Sequence, residues 1–151
     1  MYLCGNMETR IAAKSAGGLL AVTGILGIVI LVTDQILRES MGGQHWYALL
    51  AFVIIDLVLS GYVIAKPSGT SLTIVAVWSM VRIVIQLADV ATAPMFQTNY
   101  SDFANYLFNP TIVTAPNPPG VPAALIDLIL LLEIAIVGIT LSGRHGSQKS
   151  T

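Results

Sequence analysis

Four long apolar stretches, separated by polar breaks, set the plan of this chain. The first runs from about Ser15 to Leu37 and holds no charged side chain between Ala16 and Thr33. The others cover about His45 to Ala65, Leu72 to Ala91 and Val121 to Leu141. An apolar α-helix needs roughly 20 residues to cross the hydrocarbon layer of a bilayer, and each stretch is close to that length. The pattern predicts an all-α, polytopic membrane protein with helices at about 15–37, 45–65, 72–91 and 121–141, forming one membrane domain over 1–151.

The connections refine that picture. The segment RESMGGQ between the first two helices is turn-like, with paired glycines at Gly42 and Gly43. The link KPSGT between the second and third is very short. Links of this kind predict antiparallel neighbours, hence a four-helix antiparallel bundle. Residues 92–120 form the one long excursion. Arg10 and Lys14 precede the first run, as in a secretory signal. A signal core spans roughly 7–15 residues, so this longer run reads as a retained signal-anchor helix.

Composition agrees with a membrane setting. The chain is 55% hydrophobic and 10% charged, whereas an ordinary soluble domain carries about 25% charged residues. A net charge of -1 gives no electrostatic case for nucleic acid. The single cysteine, Cys4, excludes an internal disulfide and a thiolate cluster, and reads as part of a polar tail before the first helix. The Val, Ile and Thr content of so short a chain points to a prokaryotic membrane.

Basic residues set the expected orientation. Arg10, Lys14, Lys66, Arg144 and Lys149 fall on one side, and only Arg38, next to Glu39, on the other. The expectation is a plasma-membrane protein with both termini and the Lys66 turn cytoplasmic. The Arg38 turn and 92–120 are then extracytoplasmic, with Trp46 and Tyr47 as an interfacial anchor.

The outer segment is rich in aromatics: Phe96, Tyr100, Phe103, Tyr106 and Phe108. Their spacing, with Pro94 ahead and Asn109-Pro110 behind, predicts a short amphipathic interfacial helix over about Met95 to Phe108. These aromatics form either a cap that docks on a partner or a connector that covers the chain's own bundle; the sequence weighs the two equally. The remainder, TAPNPPGVPA, reads as extended, with Pro122 in the first turn of the fourth helix.

Candidate chemistry lies in five ionisable residues within or at the ends of the apolar stretches: Asp56, Arg82, Asp89, Asp127 and Glu133. Charges at such depth are costly and face protein or water. Arg82, Gln86 and Asp89 share one helical face, as do Asp56 and Ser60. Asp127 and Glu133, six residues apart, point in different directions. Arg82 stays charged and needs an acid, for which Asp56 or Glu133 is best placed. The leading reading is structural, with buried pairs fixing register and assembly. A proton or cation path through the carboxylates comes second, and metal or polar-cofactor ligation third. No histidine lies inside a stretch and no Glu-x-x-His pair occurs. His45 reads as a solvated interfacial residue and His145 as tail. In the first stretch Ala13, Gly17 and Ala21, with Gly24 and Gly27, form a plausible small-residue packing face.

No nucleophile with its base, phosphate loop or metal set is visible. The expected function is therefore a non-catalytic accessory or assembly subunit of a larger integral-membrane complex. By analogy of class, that complex is an oxidoreductase of respiratory or monooxygenase type. The alternative is a homo-oligomeric proton or cation channel or transporter. No cofactor is expected on this chain alone. Its expected partners are lipid and other membrane subunits, with any metal, haem or quinone held elsewhere in the complex.

Overall fold

The computed structural model describes residues 2–33, 44–96 and 121–148, and all of them except the short link at 66–68 are helical. There are four helices in this part of the chain: α1 (Tyr2–Thr33), α2 (Gln44–Ala65), α3 (Gly69–Phe96) and α4 (Val121–Gln148). Three are long and apolar enough to cross a membrane, over Met7–Thr33, Trp46–Ala65 and Gly69–Ala88. Their outward faces carry Ile25, Val32, Ile54, Val58, Val77 and Val84, while Asp56 and Arg82 point inward. This distribution reverses that of a water-soluble helix bundle and fits a membrane protein.

The helices outrun the apolar stretches. α1 begins at Tyr2 rather than near residue 15, so Cys4 stands in a helix and not in a tail. The segment ahead of the apolar run holds Met, Leu, Glu, Arg, Ala and Lys and no proline, and such residues propagate a helix once the apolar part is packed. α3 continues through Pro94 to Phe96. Pro94 does not open a new helix because it falls in the last turn of an uninterrupted one, where its missing N–H removes a single backbone bond. α4 reaches Gln148, which makes His145 helical rather than tail. The interfacial helix expected near Met95 to Phe108 and the extended segment after it fall at 97–120, outside the described residues, as does the Arg38 turn.

α1 is the hub, packing extensively on both α2 and α4, while α4 packs on α3. Its buried positions are Thr9, Ala12, Ala13, Ala16, Gly17, Leu20, Thr23, Gly24, Gly27, Ile30 and Leu31. Thr9, Ala16, Thr23 and Ile30 recur every seven residues, as do Ala13, Leu20 and Gly27. That repeat keeps one seam facing its neighbours along the whole helix. Most of the seam is small, and the opposite face is Ile11, Val22, Ile25, Ile28 and Val32. In an apolar helix residue size, rather than polarity, thus marks the inward side.

The glycines let α1 and α2 touch closely. A Cβ on Gly17 would lie 2.8 Å from Val63 Cγ1, and one on Gly24 would lie 2.9 Å from Leu57 Cδ2. Gly27 sits in the same way against Val53. The close approach at Gly17 also brings Ser60 Oγ within 2.7 Å of its carbonyl oxygen, to which the hydroxyl donates. Near the other end of α1, Gly143 of α4 meets Ala12 and Leu72.

The short link joins two helices that meet through side chains while their backbones stay apart. α2 ends with Lys66 N donating to Tyr62 O, and α3 starts with a reciprocal cap between Ser68 and Ser71. Yet the α2 and α3 backbones make few contacts beyond the link. Bulky residues occupy the space between them: Phe52 meets Trp78 edge to face, with centroids 5.8 Å apart. Short linkage brought the helices together in sequence, and side-chain size kept their backbones apart.

Candidate functional site

The polar centre is assembled from all four helices. α2 supplies Asp56, α3 supplies Trp78, Ser79 and Arg82, α4 supplies Glu133 and α1 supplies Thr23. Asp56, Arg82 and Glu133 are only 1%, 2% and 0% exposed. Asp56 Oδ1 accepts from Trp78 Nε1 at 2.7 Å, and its Oδ2 accepts from Thr23 Oγ1 at 3.1 Å. Arg82 Nη1 donates to the same Oδ2. On its other side Nη1 stands 2.9 Å from Glu133 Oε1, forming an ion pair without hydrogen-bond alignment. The guanidinium carbon lies 5.4 Å from the centroid of the Phe52 ring, which gives the cation an additional favourable face.

Local sequence explains how these groups meet. Trp78 and Ser79 lie four and three residues before Arg82, so α3 presents all three toward the interior. The single Thr23 hydroxyl proton is shared between Asp56 Oδ2 and Leu20 O, the latter 2.8 Å away, which holds the hydroxyl inside the helix seam. The sequence offered Arg82 either Asp56 or Glu133 as its acid, and the fold sets it between the two. Asp127 stands apart from them, partly exposed, as the six-residue spacing from Glu133 implies. Asp89 lies on α3, seven residues beyond Arg82, and its side chain is outside the described set. Phe96 closes α3, with its side chain likewise undescribed, and Tyr100, Phe103, Tyr106 and Phe108 fall outside the described residues. His45 is the second residue of α2, with its side chain undescribed.

Sequence reasoning missed Thr23, Phe52, Trp78 and Ser79. Trp78 and Ser79 had a signal, their helical spacing from Arg82. Thr23 had one too, as a hydroxyl in an otherwise apolar stretch. Phe52 had none, because its role depends on the gap between α2 and α3.

The cluster does not balance its polar atoms. Ser79 Oγ, Arg82 Nε, Gln86 Oε1, Asp127 Oδ1 and both Glu133 oxygens are buried atoms without a hydrogen-bond partner in the protein. Buried polar atoms are nearly always satisfied; Glu133 Oε1 has its ion pair with Arg82, and the remaining atoms point to water or another group. Among the described residues no three His, Cys, Asp or Glu side chains come together as a metal-binding group. The arrangement can lock helices together and can hold protons or water. It contains no aligned nucleophile and base. No protein-family model, curated protein or solved structure matches the chain.

Proposed function

We propose that this chain is a four-span antiparallel membrane bundle serving as a non-catalytic accessory or assembly subunit of a larger integral-membrane complex. In this reading α4 is the fourth span, both termini and the Lys66 turn lie in the cytoplasm, and 92–120 lies outside the plasma membrane. The observation that carries it is the use of the buried charges. Arg82 is held between Asp56 and Glu133, and Thr23 and Trp78 complete the coordination of Asp56. Such a lock fixes how four helices assemble, which is what a scaffold requires. The outward helix faces are apolar, so lipid or the apolar helices of other subunits can cover them. An oxidoreductase of respiratory or monooxygenase type remains the class of complex proposed. Metal, haem or quinone would then belong to its other chains.

Native mass spectrometry of the particle extracted from its own membrane tests this reading. Unlike subunits at fixed stoichiometry are the expected result. Copies of this chain alone would overturn it in favour of a homo-oligomeric proton or cation channel. That second reading draws on the two carboxylates facing one guanidinium and on Glu133 Oε2, which has no hydrogen-bond partner in the protein. Glu133→Gln would then reduce proton or cation flux in liposomes while leaving the oligomer intact.

A further inference from the structure

α4 carries two seams of the same spacing on opposite sides. The inner one is Ile129, Glu133, Ile136, Thr140 and Gly143, all buried against the other helices. The outer one starts two residues earlier, with Asp127, Leu131, Ile134, Gly138 and Leu141. Both advance in alternating steps of four and three, the spacing at which one helix packs along another. Two residues turn a helix by about 200°, so the outer seam faces away from the bundle. Leu131 is 63% and Ile134 53% exposed, and a Cβ on Gly138 would meet nothing within 4 Å. A row of aliphatic side chains with a glycine in it suits the close approach of a further apolar helix.

Asp127 is the exception in this row. It is partly exposed, its Oδ1 has no hydrogen-bond partner, and no cation among the described residues pairs with it. Register sets its depth. From Gly143, which meets Ala12, sixteen residues back along α4 lead to the level of Ile28 on α1. Ile28 stands five residues inside the end of the apolar length Met7–Thr33, about 8 Å deep. The Arg82–Glu133 pair gives a matching register against α3, where Asp127 is level with Ala88. Beyond Lys14, the described outward faces of α1, α2 and α3 hold no charged side chain. A carboxylate at that depth is costly against lipid tails and calls for a cation on the chain that covers it.

Charge decides what the outer seam takes. A second copy brings no free cation to it among the described residues. Arg82 is 2% exposed and already lies between Asp56 and Glu133. Arg10, Lys14, Lys66 and Arg144 are all toward the opposite end of the bundle. Two copies meeting on this seam in one orientation would set Asp127 against Asp127, like charge against like. We propose that the outer seam of α4 docks a transmembrane helix of an unlike subunit, and that Asp127 receives a lysine or arginine of that helix. This docking rests on the reading of α4 as the fourth span of an accessory subunit, to which it adds the face used and the chemistry of the partner.

The test is quantitative mass spectrometry of the complex, extracted from its own membrane in mild detergent through a tag on this chain. The wild type should retain an unlike subunit at fixed ratio. Asp127→Asn should lower that ratio on the order of tenfold, as expected when one partner of a desolvated charge pair is removed. Asp127→Glu should keep most of it. Gly138→Leu should lower it as well, whereas Gly61→Leu, exposed on α2 with equal free space, should not. Unfolding midpoints of the isolated variants in detergent should match the wild type. A lower midpoint in Asp127→Asn would make Asp127 part of the chain's own fold and overturn the docking. Benzoylphenylalanine in place of Leu131 should cross-link to an apolar segment of the unlike subunit that contains lysine or arginine. A segment without either overturns the cation, and cross-links between copies of this chain alone overturn the unlike partner in favour of a second copy. Equal retention by wild type and Asp127→Asn overturns the role of Asp127 and leaves the accessory-subunit reading standing. Absence of any unlike subunit from the wild type overturns both.

Discussion

Arg82 concentrates the energetic stakes of this protein in one side chain. A permanent cation that is 2% exposed persists only because Asp56 and Glu133 flank it and Phe52 covers it. Arg82→Leu leaves two buried carboxylates without their counter-charge. The expected loss is about 3–5 kcal/mol, read as a lower unfolding midpoint in detergent. Replacing Asp56, Arg82 and Glu133 together by apolar residues of similar volume should recover much of that loss. A midpoint unchanged in Arg82→Leu would show that the cluster does not hold the bundle together. Trp78→Phe keeps the ring against Phe52 and removes the donor to Asp56 Oδ1. Its cost should be smaller, about 1–3 kcal/mol. These ionisable residues were visible in the sequence as interruptions of apolar runs. The uncharged partners were not, because Thr, Trp and Ser are common in such runs and only the packed helices reveal what they face.

At the scale of the element, α1 and α2 are zipped by small residues. Gly27 of α1 sits directly on Val53, and Gly24 on Leu57 and Asp56. Gly27→Leu should push α2 outward and destabilise by about 1–3 kcal/mol. Gly24→Leu should cost at least as much, because displacing Asp56 also disturbs its bond to Thr23. Gly61→Ala and Gly138→Ala meet nothing within 4 Å of the added carbon and should be neutral or slightly stabilising. Thermal unfolding of the four variants under one condition checks the contrast. Equal effects at Gly27 and Gly138 would refute the zipper. The small-residue face of α1 was legible as Gly17, Gly24 and Gly27. The partner it meets was not, since α2, α3 and α4 are all apolar and any of them could cover it.

For the whole molecule, the segregation of cations is the feature with the widest consequence. Arg10, Lys14, Lys66 and Arg144 come together at one end through the helix contacts at Gly17 and Gly143. If this end is cytoplasmic, protease added to right-side-out vesicles should spare a tag placed after residue 151. A tag inserted within 97–120 should be cleaved under the same conditions. The opposite pattern would invert the proposed topology. Moving the bias, for example with Lys66→Glu together with Arg144→Glu, should produce mixed orientation in the same assay.

The sequence by itself determined that the chain is helical, where its apolar stretches lie and which residues carry costly charge. These properties follow from local hydropathy and from the price of an ion in an apolar run. Tertiary structure alone decided that Arg82 takes both Asp56 and Glu133, that α1 rather than the short 66–70 link organises the packing, and that α2 and α3 stand apart. It also decided that Ala13, Leu20, Val63, Val75 and Ile136, from four different helices, share one apolar core. The physical reason is that neighbours in an apolar medium are chosen by shape and by the pairing of polar atoms. Those quantities depend on which residues meet across helices, and hydropathy along one strand of sequence does not encode them.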